Sequence, residues 1–232
     1  SRGAAFLARI GANESVFGPS PRALEAMREA AVDIWKYGDS ESYDLRRAIA
    51  DNLGVAPENI MVGEGIDGLL GVATRLFVEP GVKVVTSDGA YPTFNYHVAG
   101  FGGDLIKVPF RDDREDAMGL VAAAGDQGAR IVYLSNPDNP MGTCWNGAEI
   151  EAMTAAMPQD ATLFLDEAYI EFAPEGAAPP IDVSNSGVIR FRTFSKAHGM
   201  AGARIGYAIG EADVIAAFNK VRNHFGVNRI AQ

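Results

Sequence analysis

The stretch VKVVTSDGAYPTFNYHVAGFGGDLIKVPF, residues 82–110, contains a strand, a helix and a second strand in direct succession. Its two ends are short apolar runs, and its centre, TFNYHVAGF, has the length and composition of a short helix. Two strands joined through a helix run parallel, because the crossover returns the chain to the edge of the sheet where it began. The segment therefore predicts a parallel sheet covered by helices.

The same alternation continues on both sides of this stretch. Strands are predicted at NIMV, RIVYLS, TLFLDE, VIRFRTF and RIGYAIG, and helices at DGLLGVATRLF, DAMGLVAAAG, AEIEAMTAAM and EADVIAAFNKVRNHF. Upstream, PRALEAMREAAVDIW predicts a helix from Pro21, and a second helix is predicted with Ser42 as its N-cap and Gly54 as its stop. The last strands follow one another without a long helix between them. We expect a three-layer α/β/α fold with a mostly parallel mixed sheet, in which residues 173–187 form a surface loop.

Composition excludes several classes of function. The chain has 232 residues, 47% of them hydrophobic, and its net charge of −10 argues against a nucleic-acid partner. The single cysteine, Cys144, rules out an internal disulfide and gives no metal-ligand cluster, so we expect no metal site. No apolar run reaches the about 18 residues of a membrane span, and the first residues are too weakly apolar for a signal peptide. We expect a cytoplasmic protein without membrane contact.

Five short polar motifs follow the predicted strands directly. They are GEGIDG, YPTF, SNPDNPMG, DEAY and TFSK. Ligands bind at the carboxyl ends of the strands in such sheets, so the motifs predict a single crevice.

One motif also fits a dinucleotide-binding turn. GEGIDG places glycines at Gly63, Gly65 and Gly68, and Asp88 follows at the distance of a ribose-binding acid. An NAD-binding oxidoreductase would leave Lys196 and the NPDNP turn without a role. We keep it as a remote alternative.

The five motifs together supply what pyridoxal 5'-phosphate needs from a protein. Lys196 is the candidate amine, Asp166 the partner of the ring nitrogen, and Tyr169 and Asn139 the donors to the phenolic oxygen. Phe94 is the candidate for stacking on the ring. The phosphate would sit at a helix N-terminus, in a cup built from Gly65, Ile66, Asp67, Thr193, Ser195 and Arg204.

With these motifs in order along nearly the whole chain, the sequence resembles the fold type I pyridoxal-phosphate enzymes of the class I/II aminotransferase family. Within it, the chain is most similar to the histidinol-phosphate aminotransferases. Segments that carry the resemblance are NESVFGPSPRAL, KYGDSESYDLRRAIADNLGV, ENIMVGEGIDGLL, YPTF, SNPDNPMGT, FLDEAYIEF and RTFSKAHGMAGARIGY.

The resemblance implies catalytic roles for Lys196, Asp166 and Tyr169 and a homodimer in which Tyr37 reaches the cofactor phosphate of the other subunit. It implies that Asn13 and Phe17 help to close the substrate side. The best candidate donor is L-histidinol phosphate, followed by aromatic or other amino acids, and the acceptor is a 2-oxo acid such as 2-oxoglutarate. A decarboxylase or lyase of the same fold is the alternative, because it needs the same cofactor residues.

The resemblance also implies a domain organisation. Residues 1–30 are expected to pack toward the substrate side and the small domain, and residues 31–232 to form the large cofactor-binding domain. The C-terminal small domain, which carries the arginine for the substrate carboxylate in the family, is expected to be largely absent from this chain.

Overall fold

The computed structural model describes residues 11–232. The first third of the predicted N-terminal segment, residues 1–10, lies outside the described residues. The assignment of residues 1–30 and 31–232 to two units stays a prediction.

Seven helices and seven strands are described in residues 11–232. The helices are α1 (Pro21–Ala31), α2 (Tyr43–Leu53), α3 (Gly65–Phe77), α4 (Thr93–Gly100), α5 (Ala117–Gln127), α6 (Gly147–Ala156) and α7 (Ala212–Phe218). The strands are β1 (Ile60–Gly63), β2 (Lys83–Asp88), β3 (Asp104–Pro109), β4 (Ile131–Ser135), β5 (Thr162–Asp166), β6 (Val188–Thr193) and β7 (Gly206–Ile209).

The strands form one mixed sheet in the order β1-β7-β6-β5-β4-β2-β3. Strands β2 to β6 are parallel, and β7 runs antiparallel to both of its neighbours, β6 and β1. The carboxyl ends of β1 and β6 therefore lie at the same edge of the sheet as the first residue of β7. Gly206 pairs with Gly63 on one side and Thr193 on the other.

Helices cover both faces of the sheet, which confirms the predicted three layers. Alternate strand residues point to opposite faces, so Phe164 packs on the side of α3, α4 and α7, and Leu163 and Leu165 pack on the side of α5 and α6. A third group joins α2 to β1 and β7 through residues such as Ile49, Ile60 and Ile209. The central strands β4 and β5 are almost wholly buried, as continuous apolar runs predict.

Two helices end earlier than their apolar spacing predicts. The first ends at Ala31 rather than at Trp35, and residues 32–36 form turns. Ile34 and Trp35 are exposed in the described chain, so no surface packs against them to extend the helix. The last helix ends at Phe218, where Asn219 forms its C-cap and accepts a hydrogen bond from Arg222. The prediction of one helix over residues 211–225 was therefore wrong.

The N-terminus of α2 also differs from the prediction. Ser42 is the N-cap by position, but its side chain makes no capping hydrogen bond. The carboxylate of Asp39 accepts from the backbone N–H groups of Glu41 and Tyr43 instead. The two oxygens of the Asp39 carboxylate each accept from one N–H group, so the carboxylate takes the capping role at this helix.

None of the helices in residues 11–232 combines the length and the apolar character that a membrane crossing requires.

Candidate active site

A cavity of about 560 Å³ lies at the carboxyl edge of the sheet. Its walls come from the residues that follow β1, β4, β5 and β6, and from the turn that precedes β7. The reversed direction of β7 brings Arg204, which comes before it, to the same edge. Of the predicted site residues, those that line the cavity are Asn13, Ile66, Asp67, Asn139, Asp166, Tyr169, Thr193, Ser195, Lys196 and Arg204.

Lys196 lies three residues after Thr193, the last residue of β6. Its Nζ donates a hydrogen bond to the backbone carbonyl of Ala12 at 3.2 Å. The ammonium group also lies 5.4 Å from the centre of the Tyr169 ring, within the range of a cation–π contact. Both contacts leave the side chain at the cavity wall, where it can reach a ligand.

Asp166, the last residue of β5, is buried behind the cavity wall. Its Oδ2 accepts from the Tyr133 hydroxyl at 2.7 Å, and its Oδ1 accepts from the backbone N–H of Ala168 at 2.9 Å. Burial raises the pKa of Asp166 to about 6, whereas the Tyr133 and Ala168 hydrogen bonds lower it. At neutral pH the group is an oriented carboxylate, which suits a protonated ring nitrogen.

Tyr169 stands between two asparagines. Its hydroxyl oxygen accepts from Asn13 Nδ2 at 3.1 Å and from Asn139 Nδ2 at 3.3 Å. A phenolic oxygen has two acceptor positions, so these bonds leave the hydroxyl proton as the available donor. Tyr169 can therefore donate to an oxygen atom in the cavity.

A cationic cup lies where β6, β7 and α3 meet. Arg204 donates to Ser195 Oγ at 3.2 Å, and the Thr193 hydroxyl donates to the same oxygen at 3.0 Å. A second guanidinium nitrogen of Arg204 donates to the carbonyl of Glu64 at 3.3 Å. Gly65 has φ of +81°, and a Cβ built there would lie 2.5 Å from the guanidinium. Only glycine allows the arginine to approach the first turn of α3 so closely.

Asp67 brings a negative charge to the edge of this cup, but the charge is paired. Its carboxylate contacts His97 Nε2 at 3.0 Å, and this hydrogen bond from the imidazole holds the pKa of Asp67 below its usual value. The pairing reduces repulsion of an anion bound at the backbone N–H groups of α3.

These residues fit pyridoxal phosphate. The glycine cradle with its guanidinium suits a phosphate, Asp166 suits a ring nitrogen that carries a proton, and Tyr169 suits a phenolate oxygen. The cavity volume is also within the usual range for a cofactor site.

Four predicted residues do not line the cavity: Gly65, Phe94, Phe17 and Tyr37. Gly65 lies against the Arg204 guanidinium, behind the cavity wall. Phe94 is 0% exposed and stacks on Tyr133 with 4.5 Å between ring centres, so the prediction that it presents its ring to the cavity is wrong in this structure. Its position on the inner face of α4 directs the ring into the core, while Tyr91 from the same turn lines the cavity. Phe17 is 94% exposed and Tyr37 is 81% exposed.

The cavity does not support the alternative of a dinucleotide-binding site. Asp88, its ribose-binding acid, is exposed, contacts Lys107 at 3.4 Å, and is absent from the cavity wall. No group of three metal-ligating side chains occurs among residues 11–232.

Two buried contacts near the cavity were not predicted from the sequence. They are the hydrogen bond from Tyr133 to Asp166 and a carboxyl pair formed by Glu115 and Asp138. Tyr133 lies inside a buried strand, where an aromatic residue is ordinary, and the pairing depends on register across the sheet. No spacing in the chain indicates it.

Known proteins resemble this chain over nearly its whole length. Residues 8–232 match the model of the family described as "Aminotransferase class I and II". The chain is 35% identical over 228 residues to the histidinol-phosphate aminotransferase of Moorella thermoacetica, covering 97% of this chain and 59% of that protein. It is 37% identical over 235 residues to the one of an Anaeromyxobacter species, covering 99% of this chain and 64% of the relative. The chain thus spans less than two thirds of these relatives.

A solved structure is similar in both sequence and fold. It is the histidinol-phosphate aminotransferase of Sinorhizobium meliloti in complex with pyridoxal-5'-phosphate, at 58% identity and a TM-score of 0.95. The match covers 97% of this chain and 62% of that one. By its sequence match over nearly its full length and by its fold, the chain belongs to the aminotransferase class I and II family and has the fold type I architecture.

Proposed function

We propose that the protein of which this chain is part is a pyridoxal-phosphate-dependent aminotransferase. The observation that carries the proposal is the convergence of Lys196, Asp166, Tyr169 and the Arg204 cup on one cavity. An isolated lysine or aspartate at a strand end has ordinary structural explanations, but all the groups that one cofactor needs occur together here.

Bound pyridoxal phosphate supplies an electrophilic carbon for amine attachment and a ring that takes up electrons from the substrate Cα. The amine of Lys196 would hold the cofactor and then, when released, move a proton between the substrate Cα and the cofactor C4'. Asp166 would hold the proton on the ring nitrogen. Tyr169 and Asn139 would orient the phenolic oxygen, and Thr193, Ser195 and Arg204 would anchor the phosphate.

For the amino donor we propose L-histidinol phosphate, with a 2-oxo acid such as 2-oxoglutarate as acceptor. The support is the name that the similar proteins of Moorella, Anaeromyxobacter and Sinorhizobium share. The cavity itself adds one detail, since Asn13 lines it and donates a hydrogen bond to the Tyr169 hydroxyl. We propose that Asn13 contacts the substrate, and that Phe17 does so only in the complete enzyme.

A homodimer is the proposed assembly. Four large apolar residues near α1 and the end of the described chain are exposed: Ile34, Trp35, Tyr37 and Phe225. The Tyr37 ring contacts the Phe225 ring at 5.0 Å between centres. Exposed aromatic groups of this size usually mark an interface, and a second copy is the partner that would also place Tyr37 at a phosphate cup.

The proposal is tested by the absorption spectrum of the protein after pyridoxal phosphate is added, followed by histidinol phosphate. We expect a visible band that disappears as the amino donor converts the cofactor, and recovery of the band on adding 2-oxoglutarate. Release of carbon dioxide from an amino acid without transfer to the 2-oxo acid would favour the decarboxylase.

Lys196→Ala is expected to abolish the lysine-linked band and to lower turnover by more than about a thousandfold, since no other amine in the cavity replaces it. The matched control is Lys220→Ala, which removes a lysine outside the cavity and should leave the spectrum unchanged. Normal turnover in Lys196→Ala would overturn the assignment of the reactive amine.

A further inference from the structure

The hydrogen bond between Tyr133 and Asp166 crosses between adjacent strands of the sheet. Tyr133 lies in β4 and Asp166 ends β5, and Ser135 of β4 is the register partner of Asp166. The phenolic oxygen lies 2.7 Å from Oδ2, and Tyr133 is almost fully buried. Only Asp166 of the two lines the cavity, so Tyr133 can influence a ligand there through the carboxylate.

The Tyr133 ring is itself fixed. The Phe94 ring stacks on it with an interplanar angle of 14°, and Phe164 packs edge-on against Phe94. Phe94 therefore braces Tyr133 from within the core, which gives it a role different from the one that its motif predicted. A tyrosine held in this way keeps its hydroxyl aimed at one carboxylate oxygen without further loss of conformational entropy.

The charged groups around Asp166 make this donor important. The neighbouring Glu167 and the burial of the site both oppose ionisation of Asp166, while Lys196 and the Tyr133 hydroxyl favour it. Burial and the adjacent Asp166 carboxylate raise the pKa of the Tyr133 phenol well above its usual value. The phenol thus remains a donor and cannot take the charge from Asp166.

We propose that Tyr133 is a positioning residue of the cofactor site, which keeps Asp166 ionised and fixed in direction toward the ring nitrogen of the bound cofactor. This inference rests on the proposed function, because it requires that pyridoxal phosphate occupies the cavity. Phe94 supports this role indirectly, because its ring stacks on Tyr133 and holds it in place.

The test compares the wild-type protein with Tyr133→Phe after loading with pyridoxal phosphate. The phenylalanine keeps the ring stack and removes only the hydroxyl. Without this donor Asp166 becomes more basic, so the proton between Asp166 and the cofactor ring nitrogen moves toward Asp166. We expect cofactor affinity to fall by about tenfold or more, the range for a hydrogen bond to a charged group. With less positive charge on the ring, the Lys196 nitrogen that is linked to the cofactor holds its own proton more tightly. The pH midpoint of the visible band, which reports the loss of that proton, therefore rises.

Two controls separate positioning from general damage. Tyr207→Phe removes another buried tyrosine hydroxyl, one that faces Arg192, and should leave the midpoint unchanged. In the Asp166→Asn background, Tyr133→Phe should change affinity by less than about twofold, since a residue that acts through Asp166 has nothing left to act on. A full additional loss in that background would overturn the proposal.

A second variant covers the case in which Tyr133→Phe does not fold. Incorporation of 3-fluorotyrosine at position 133 keeps the ring and the hydroxyl and makes the hydroxyl a stronger donor, so the midpoint should shift downward. An unchanged midpoint in both variants of a protein that binds the cofactor normally would refute the role of Tyr133. A wild-type protein that develops no visible band would instead refute the proposed function itself.

Discussion

Glu115 lies beside the turn that carries Asn139, and its carboxyl group is buried. Ser87 Oγ donates to it at 2.5 Å, and the backbone N–H of Ser135 donates at 3.1 Å. Burial and the charge of Asp138 raise the pKa of Glu115 to about 8, against the opposing hydrogen bond from Ser87. Asp138 Oδ1 is buried and has no donor among the described residues. A proton on Glu115 would supply that donor, so the two groups share one proton at neutral pH.

This pair predicts a pH dependence of folding stability. The folded-state pKa of Glu115 lies above its ordinary value of 4.5. The contribution of Glu115 to folding stability is therefore complete below about pH 4.5 and is lost as the pH rises through about 8. The full loss is on the order of 5 kcal/mol. Glu115→Gln cannot titrate but keeps an acceptor for Ser135. Urea unfolding at pH 5 and pH 8 should therefore show a smaller difference for this variant than for the wild type. Equal differences in both proteins would contradict the shared proton.

The sequence predicts the side chains that line the cavity better than the buried side chains that contact them. Lys196, Asp166 and Tyr169 each follow a strand, and their chemical types match one cofactor. Tyr133 and Glu115 lie within buried or irregular segments, and their roles arise from register and from burial. The position of Phe94 was predicted wrongly because its motif fixes where the turn lies but not which aromatic ring faces the cavity.

Among the elements, the N-terminal turn and the lysine loop depend on each other. Gly199 has φ of +69°, and a Cβ built there would collide with the backbone of Gly18. The close contact brings residues 11–14 over the cavity, where the Ala12 carbonyl accepts from Lys196.

Gly199→Ala is expected to move the N-terminal turn away and to cost about 1–2 kcal/mol, since an L-residue is strained at this backbone angle. Limited proteolysis should cut residues 11–20 faster in this variant, and cofactor affinity should fall. Gly202→Ala is the matched control in the same loop, because a Cβ there meets nothing within 4 Å. Equal cleavage rates in the two variants would show that the contact does not hold the turn.

Most strands and helices could be predicted to within a residue or two, because apolar strands alternate with helices of suitable length. The failures lie at helix ends. Trp35 and Ile34 continue the helical spacing of α1, but sequence spacing alone does not say whether a surface is present to pack against them. At α2, Asp39 replaced Ser42 as the capping side chain for the same reason, since the cap depends on how the preceding turn folds.

For the molecule as a whole, the proposed sharing of active sites between two subunits predicts complementation between two defective variants. Lys196→Ala lacks the amine, and Tyr37→Ala lacks the side chain proposed to reach the partner's cup; Tyr37 is exposed, so its replacement should not disturb folding. After mixing and re-association, one site in each mixed dimer is intact, or about a quarter of all sites. The visible band at limiting cofactor should recover to that fraction.

Two results would contradict this arrangement. A single-chain mass in light scattering would exclude the dimer. A dimer whose mixed sample shows no band beyond the sum of the separate variants would mean that Tyr37 does not serve the other subunit.

During synthesis, β1 is the first of the described strands to leave the ribosome, and β7 is the last of them. Strands β2 to β6 find parallel partners among one another, but β1 pairs with β7 alone, from Ile60 to Ile209. Contacts between residues so distant in the chain form late and slowly. The turn at Gly65 and the Arg204 guanidinium meet only when that pairing is complete. A nascent chain that stops before β7 therefore exposes an unpaired strand and has no complete phosphate cup, so cofactor capture can report that translation has passed β7.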